Sequence, residues 1–406
     1  MPFDESIVKA YGLDQFEEFQ DLDLLRQQVK QNFKGKKKLI RPDFSEKEWE
    51  KAKLASIYNS TEEGAPMGRY LTDPEENIPR VHCDDLSVED FIENYQIPNK
   101  PVIIEGCADD WPAMKSWNFK QLYDDFGEVD FEIGEDEIGT PVTVKLKEYL
   151  QYMVFNHDDS PMYLFHRNLH KCPEMKRLLE DYEVPKYFRE DYQQIFDEKY
   201  KPDYNWFLIG PRRSGSYVHY DPFSMSAWNT SLFGHKRWIL FEPDMDRAVV
   251  EGEEFKTDQN LDNYTAIDHV LNIYPKLLES GLVKKKYEFV QKKGDTIFLP
   301  SKWWHVVLNV DDTIAITQNF TNQANFEKVW RSFRRTKKRS ACNWLRNMKI
   351  YNKDLYHQAL KLNEQDDYKM YDYYMSRNEP WPLSPTSSQT ESSEDLTDYE
   401  FDYSSD

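Results

Sequence analysis

No run of eighteen apolar residues occurs anywhere in the chain, so no segment of it reads as a membrane-spanning helix. The opening stretch, MPFDESIVKAYGLDQFEEF, lacks both a basic start and an apolar run, and does not read as a secretory leader. Cysteine is scarce: Cys83, Cys107, Cys172 and Cys342 are scattered without CxxC spacing. Free thiols in a reducing compartment are the expectation. Positive charge is also short, with 52 Lys and Arg against 73 Asp and Glu and a net charge of -21. That balance disfavours nucleic acid as the main partner, because phosphate binding is driven by cations. No internal repeat of twenty to fifty residues is visible, which excludes a solenoid.

What is present points elsewhere. The 406 residues suffice for a sizeable core, and 15 % of them are aromatic. A mean hydropathy of -0.83 and 31 % charged residues set the expectation of a soluble protein. An acidic exterior raises the encounter rate of basic peptides. Two local segments run the other way, GKKKLIRP at 35–42 and RSFRRTKKR at 331–339. Each reads as a solvated basic face or as an import signal, and each offers RNA a weak contact.

Texture changes along the chain. Residues 1–75 are charged and carry helical spacing, as in FEEFQDLDLLRQQVKQNF, and read as a helical extension. From IPNKPVIIEGC at 97–107, short apolar runs bounded by Pro and Gly announce strands, so 76–172 forms the first part of the next unit. MKRLLEDY at 175–182 has helical spacing and is followed by the breaking VPKYF. Between YNWFLIG and TIAITQNF, β-rich runs dominate 173–337, broken by a polar loop near 244–268 and the helix-like HVLNIYPKLLESG. Helical periodicity returns through EKVWRSF and ACNWLRNM, giving C-terminal helices over 338–382. Val329, Trp330 and Phe333 share one face there, to be buried against the core or a second copy, so a homo-oligomer is one outcome. The tail 383–406 is Ser, Thr, Asp and Glu without one Lys or Arg, and reads as disordered. Many short strands with helices at the ends predict a mainly β fold, a double-stranded jelly roll with helical flanks.

Two segments carry chemistry. With 9 His and 73 acidic residues among 406, chance alone supplies one or two His-x-acid triplets, and the chain has three. His157 and Asp159 sit in NHDDSP, a turn suited to solvent. His82 lies in RVHCDDL, where Asp84 or Asp85 reads as a helix cap. His219 and Asp221 follow the β-formers of YVHY, and residues two apart on a strand share a face. The partner segment is GDTIFLPSKWWHVVLN, in which Gly294, Pro300, His305 and Asn309 have the spacing of the second cupin motif. Lys302 stands there where cupins favour Gly, at a cost of about 1 kcal/mol if the backbone is left-handed. Two His and one carboxylate on one face of iron leave three positions open, the arrangement of oxygen-activating non-haem Fe(II) sites. A 2-oxoacid is the usual electron donor at such sites. Lys236 in LFGHKRWILF, an apparent hairpin, can compensate its far carboxylate, and Thr317 in TIAITQNF can donate a hydroxyl.

HYDPFSMSAWNTSLFGHKRWILF and WWHVVLNVDDTIAITQNF resemble the JmjC-domain family of Fe(II)- and 2-oxoglutarate-dependent oxygenases, in its branch of arginine demethylases and lysyl hydroxylases. The likeness extends over about 38–345 and includes DDSPMYLF and WFLIGPRRSGS. By that resemblance His219, Asp221 and His305 are the iron ligands, and Lys236 and Thr317 hold the 2-oxoglutarate carboxylate. Asn229, Tyr163 and Asn319 then line the same pocket. Departures are Tyr220 between the first two ligands, the PSK turn, and a short acidic tail in place of a long polyserine one. The resemblance implies lysyl hydroxylation first and N-methyl-arginine demethylation second, on basic splicing factors or histones in the nucleus, with O2 as cosubstrate and ascorbate supportive. Hydroxylation of other side chains or of RNA bases is a further outcome within the family. A scaffold that merely binds basic proteins is the alternative of another class.

Overall fold

The computed structural model describes residues 2–58, 76–256 and 265–370. Residues 59–75, the middle of the polar loop, the end of the expected C-terminal helical stretch (371–382) and the acidic tail lie outside the described residues. Helices α1 (Pro2–Tyr11) and α2 (Leu22–Ile40) open the chain. Asp21 caps α2 by accepting a hydrogen bond from the Leu24 amide at 3.0 Å. Leu25, Val29 and Phe33, spaced by four, form its buried stripe.

Strands β1 (Arg80–His82) and β2 (Val102–Glu105) follow, then helix α3 (Phe119–Phe126), the hairpin β3 (Asp130–Glu135) and β4 (Pro141–Lys145), and helix α4 (Leu146–Phe155). The barrel continues with β5 (Leu164–Arg167), β6 (Asn205–Gly210), β7 (Gly215–His219), β8 (Ser226–Phe233) and β9 (Lys236–Phe241). Helix α5 (Tyr274–Ser280) precedes β10 (Lys286–Gln291), β11 (Thr296–Leu299), β12 (Trp304–Asn309) and β13 (Thr313–Phe320). Three helices follow, α6 (Phe326–Thr336), α7 (Lys338–Tyr351) and α8 (Lys353–Gln365).

Seven strands form one sheet in the order β1-β2-β11-β8-β13-β6-β5, and four form a second, β10-β9-β12-β7. This is the expected jelly roll. The period-2 alternation of strands sorts side chains to two faces. Along β12, Trp304, Val306 and Leu308 pack outward with Ile267, Val270 and Tyr274, whereas Val307 packs inward with Trp238, Leu240 and Ile297. His305 and Asn309 share the inward face by the same period. The outer face of the seven-stranded sheet is covered by α1–α4, whose apolar residues merge with Phe207, Trp228 and Ile316 in one core. Val329, Trp330 and Phe333 of α6 are fully buried against Phe196 and Trp344 of the same chain.

Several sequence expectations need correction. LFGHKRWILF is not a hairpin: β8 belongs to the seven-stranded sheet and β9 to the four-stranded one. Gly234 makes the crossing with φ +72°, and a Cβ there would lie 2.1 Å from the Asp312 carbonyl oxygen. Residues 173–180 form a 3-10 helix in place of an α-helix, and 244–256 hold a short helix, Arg247–Val250. The helix after RVHCDDL is capped by Ser87, which accepts from the Asp90 amide, so neither Asp84 nor Asp85 caps it. Asp159 is not in solvent. It is buried and accepts from the amides of Ala52 and Leu54 at 2.6 and 2.7 Å, tying the N-terminal extension to the barrel. Its two oxygens meet two orphan amides, which outweighs the turn-like sequence around it.

Candidate metal and cosubstrate site

His219 is the last residue of β7, and in the antiparallel ladder it stands directly opposite His305 of β12. Their ring centroids are 4.1 Å apart. Asp221 follows two residues on, where Pro222 opens a turn and ends the strand. Ligand atoms of His219, Asp221 and His305 all lie within 4.8 Å of one another.

The imidazoles are fixed by their own backbones. His219 Nδ1 lies 2.7 Å from the Tyr217 carbonyl and His305 Nδ1 3.0 Å from that of Trp303. A carbonyl only accepts, so each Nδ1 carries the proton and each Nε2 keeps its lone pair. Burial lowers the pKa of both rings, well below the usual range for His305, and so keeps them neutral. Asp221 has the opposite shift: burial pushes its carboxyl up to about 7. Its Oδ2 is buried with no hydrogen-bond partner. An unpartnered buried carboxylate oxygen beside two lone-pair nitrogens is costly alone and satisfied by a cation. The donor set, two imidazoles and one carboxylate, fits Fe(II).

Lys236 begins β9 on the inward face. Its Nζ donates to Tyr163 Oη at 2.8 Å and to Asn309 Oδ1 at 3.0 Å, and Asn309 stands opposite it in the ladder. Burial lowers the ammonium to about 7, with Asp311 opposing that shift. Asn309 was not assigned a role from sequence. Its position four residues after His305 on one strand was the available signal.

Thr317 and Asn229 face each other across β13 and β8 in the other sheet. Thr317 Oγ1 donates to the Trp228 carbonyl at 2.8 Å, and Asn229 Oδ1 accepts from Gln291 Nε2 at 3.1 Å. Asn319, two residues past Thr317, is buried with an unpartnered Nδ2. The structure thus joins the triad in one cluster and Lys236 with Tyr163 in another. It sets Thr317, Asn229 and Asn319 in the sheet that faces them. Beside Tyr163, a cleft of about 220 Å³ opens between Arg41, Phe44 and Trp49 of the extension and Pro161, Met162 and Gly215 of the barrel.

A family model described as a cupin-like domain matches residues 88–326. The chain belongs to that family and, within it, to the JmjC-type oxygenases. It is 35 % identical over 315 residues to the bifunctional arginine demethylase and lysyl-hydroxylase of Caenorhabditis briggsae, covering 77 % of this chain and 76 % of that one. Its identity to the Caenorhabditis elegans protein of the same name is 37 % over 276 residues, 67 % of this chain and 68 % of the other. A 2-oxoglutarate and iron-dependent oxygenase of Mus musculus is 26 % identical over 272 residues, 60 % of this chain and 61 % of its own length.

Proposed function

We propose that the chain is an Fe(II)- and 2-oxoglutarate-dependent protein oxygenase that hydroxylates lysine side chains of Lys/Arg-rich proteins. The observation that carries the reading is the partnerless Asp221 Oδ2 set among two imidazoles whose Nε2 atoms are free to bind. His219, Asp221 and His305 hold the iron. Iron with 2-oxoglutarate and O2 supplies an oxidant able to take hydrogen from an unactivated C–H bond, with succinate and CO2 as coproducts.

The protein's own part is positioning and electrostatics. Lys236 meets the far carboxylate of 2-oxoglutarate, and Tyr163 and Asn309 hold its Nζ in place. A carboxylate at that point keeps the ammonium charged against the burial that lowers it. Thr317, Asn229 and Asn319 line the facing wall, where the free Asn319 Nδ2 offers one more donor. The hydrogen bonds from each Nδ1 stop the ligand rings from turning. The pocket then chooses the C–H bond by position. At a lysine carbon the outcome is hydroxylysine. At an N-methyl group it is an unstable hemiaminal that releases formaldehyde, which is demethylation and our second reading.

The names of the Caenorhabditis relatives support both outcomes. The net charge of -21 supports basic substrates, of which splicing factors and histones are the chemical type, and a nuclear site of action follows from such substrates. The scaffold alternative has no use for such a triad together with a buried lysine. An Asp221→Ala variant separates the two: it should lose iron and turnover while still binding Lys/Arg-rich peptides. Full cellular function in that variant would favour the scaffold.

A further inference from the structure

A second group of ligating side chains lies far along the chain from the barrel triad. Strands β1 and β2 are parallel, with His82 opposite Glu105, so both chains leave the sheet edge side by side. The next residues on one are Cys83 and Asp84, and on the other Gly106 and Cys107. Ligand atoms of His82, Cys83 and Asp84 lie within 4.8 Å of one another. His82 Nδ1 is 3.5 Å from Asp84 Oδ2, and Cys83 Sγ is 3.9 Å from Asp84 Oδ1. Cys107 follows Gly106 on the adjoining strand end, and its thiol interacts electrostatically with that of Cys83.

Gly106 makes the juxtaposition possible. It has φ +82°, and a Cβ built on it would stand 2.5 Å from His82 Nε2 and 3.1 Å from Cys83 Sγ. Any side chain there would push the imidazole and the thiol away from Cys107. His82, Cys83 and Cys107 are all partly exposed, so an ion can reach them from solvent. None of the four takes part in the chemistry proposed above.

We propose that His82, Cys83 and Cys107, with Asp84 as the fourth ligand, form a second metal site at the edge of the seven-stranded sheet, selective for zinc-type ions. Two sulfurs, one imidazole and one carboxylate are a tetrahedral, borderline-soft donor set, unlike the sulfur-free set of the barrel. The ligand atoms of His82, Cys83 and Asp84 already lie within 4.8 Å of one another, and rotation of the Cys107 side chain would complete the shell. Binding releases one proton from each thiol to solvent, so affinity rises with pH. Burial raises both thiols, that of Cys107 to about 12, and a bound dication offsets this directly. The site joins residues 24 positions apart, which explains why His82-x-Asp84 alone reads as chance. Only the parallel pairing of β1 and β2 brings Cys107 to it.

The test is Co(II) added to the full chain in a phosphine reductant. A thiolate-to-cobalt charge-transfer band is expected, since the barrel triad has no sulfur with which to produce one. The band should persist in His219→Ala and vanish in Cys83→Ser and Cys107→Ser. In the unaltered protein, zinc should slow alkylation of Cys83 and Cys107 but not of Cys172, read by peptide mass mapping. That second readout depends on no variant folding. Absence of the band, its survival in both Ser variants, or zinc-independent alkylation of both thiols would each overturn the site.

Discussion

At the scale of single residues, the centre of the molecule is governed by what burial does to Asp221 and its neighbours. Burial raises the Asp221 carboxyl to about 7 and lowers both imidazoles. The sign follows. Below pH 7 the metal-free carboxyl holds a proton that iron must displace, while the imidazoles, whose pKa burial lowers, compete less. Iron affinity should therefore fall about tenfold per pH unit as pH drops below 7. Equilibrium dialysis between pH 5.5 and 8 checks this, and a flat profile would remove Asp221 from the ligand set. Lys302 gives a second test. It adopts φ +64°, the left-handed conformation that its place in the PSK turn made expensive. The turn keeps its form and the lysine carries the strain, so Lys302→Gly should stabilise the protein by about 1 kcal/mol in denaturant unfolding. Lys236 was expected in a hairpin that the structure replaces with a crossing between sheets, whereas the clustering of His219, Asp221 and His305 was legible because strand periodicity and motif spacing encode it. Asp159 was not: its partners, the Ala52 and Leu54 amides, lie more than a hundred residues away.

At the scale of elements, the site depends on two ladders and a turn. The β7–β12 pair sets His219 against His305, and the β9–β12 pair sets Lys236 against Asn309. Strand identity was readable from composition, but the assignment of strands to sheets was not. β8 and β9 follow each other closely, and only their separate sheet partners reveal the crossing at Gly234. The turn after Asp221 has positive φ at Phe223 and Ser224, 57° and 58°. Phe223 is held edge-on against Phe333 of α6, ring centroids 5.0 Å apart. Helix α6 thus buttresses the strained turn that follows Asp221. Phe333→Ala should cost about 3 kcal/mol of stability and weaken iron binding about tenfold. Unfolding by denaturant and iron dialysis measure the two effects separately. Lost stability with unchanged iron affinity would disconnect the helix from the site.

At the scale of the whole molecule, the N-terminal helices, the jelly roll and the C-terminal helices are arranged around one inward face. α1–α4 share a core with the seven-stranded sheet, and α6–α8 form a satellite core behind the Asp221 turn. The cleft beside Tyr163 lies where the extension meets the barrel, so the extension supplies one of its walls. That meeting was invisible in the sequence, where residues 1–75 read as a flank. The bulk charge was visible, and it supports the basic substrates proposed above. The most direct test of the account is the intact mass of Lys/Arg-rich peptides, methylated and unmethylated, after incubation with the enzyme, Fe(II), ascorbate and 2-oxoglutarate. The account predicts a gain of one oxygen on unmethylated lysine peptides, coupled to succinate. Loss of a methylene unit with formaldehyde would place demethylation first. An iron-loaded protein that consumes no 2-oxoglutarate would contradict the catalytic reading itself.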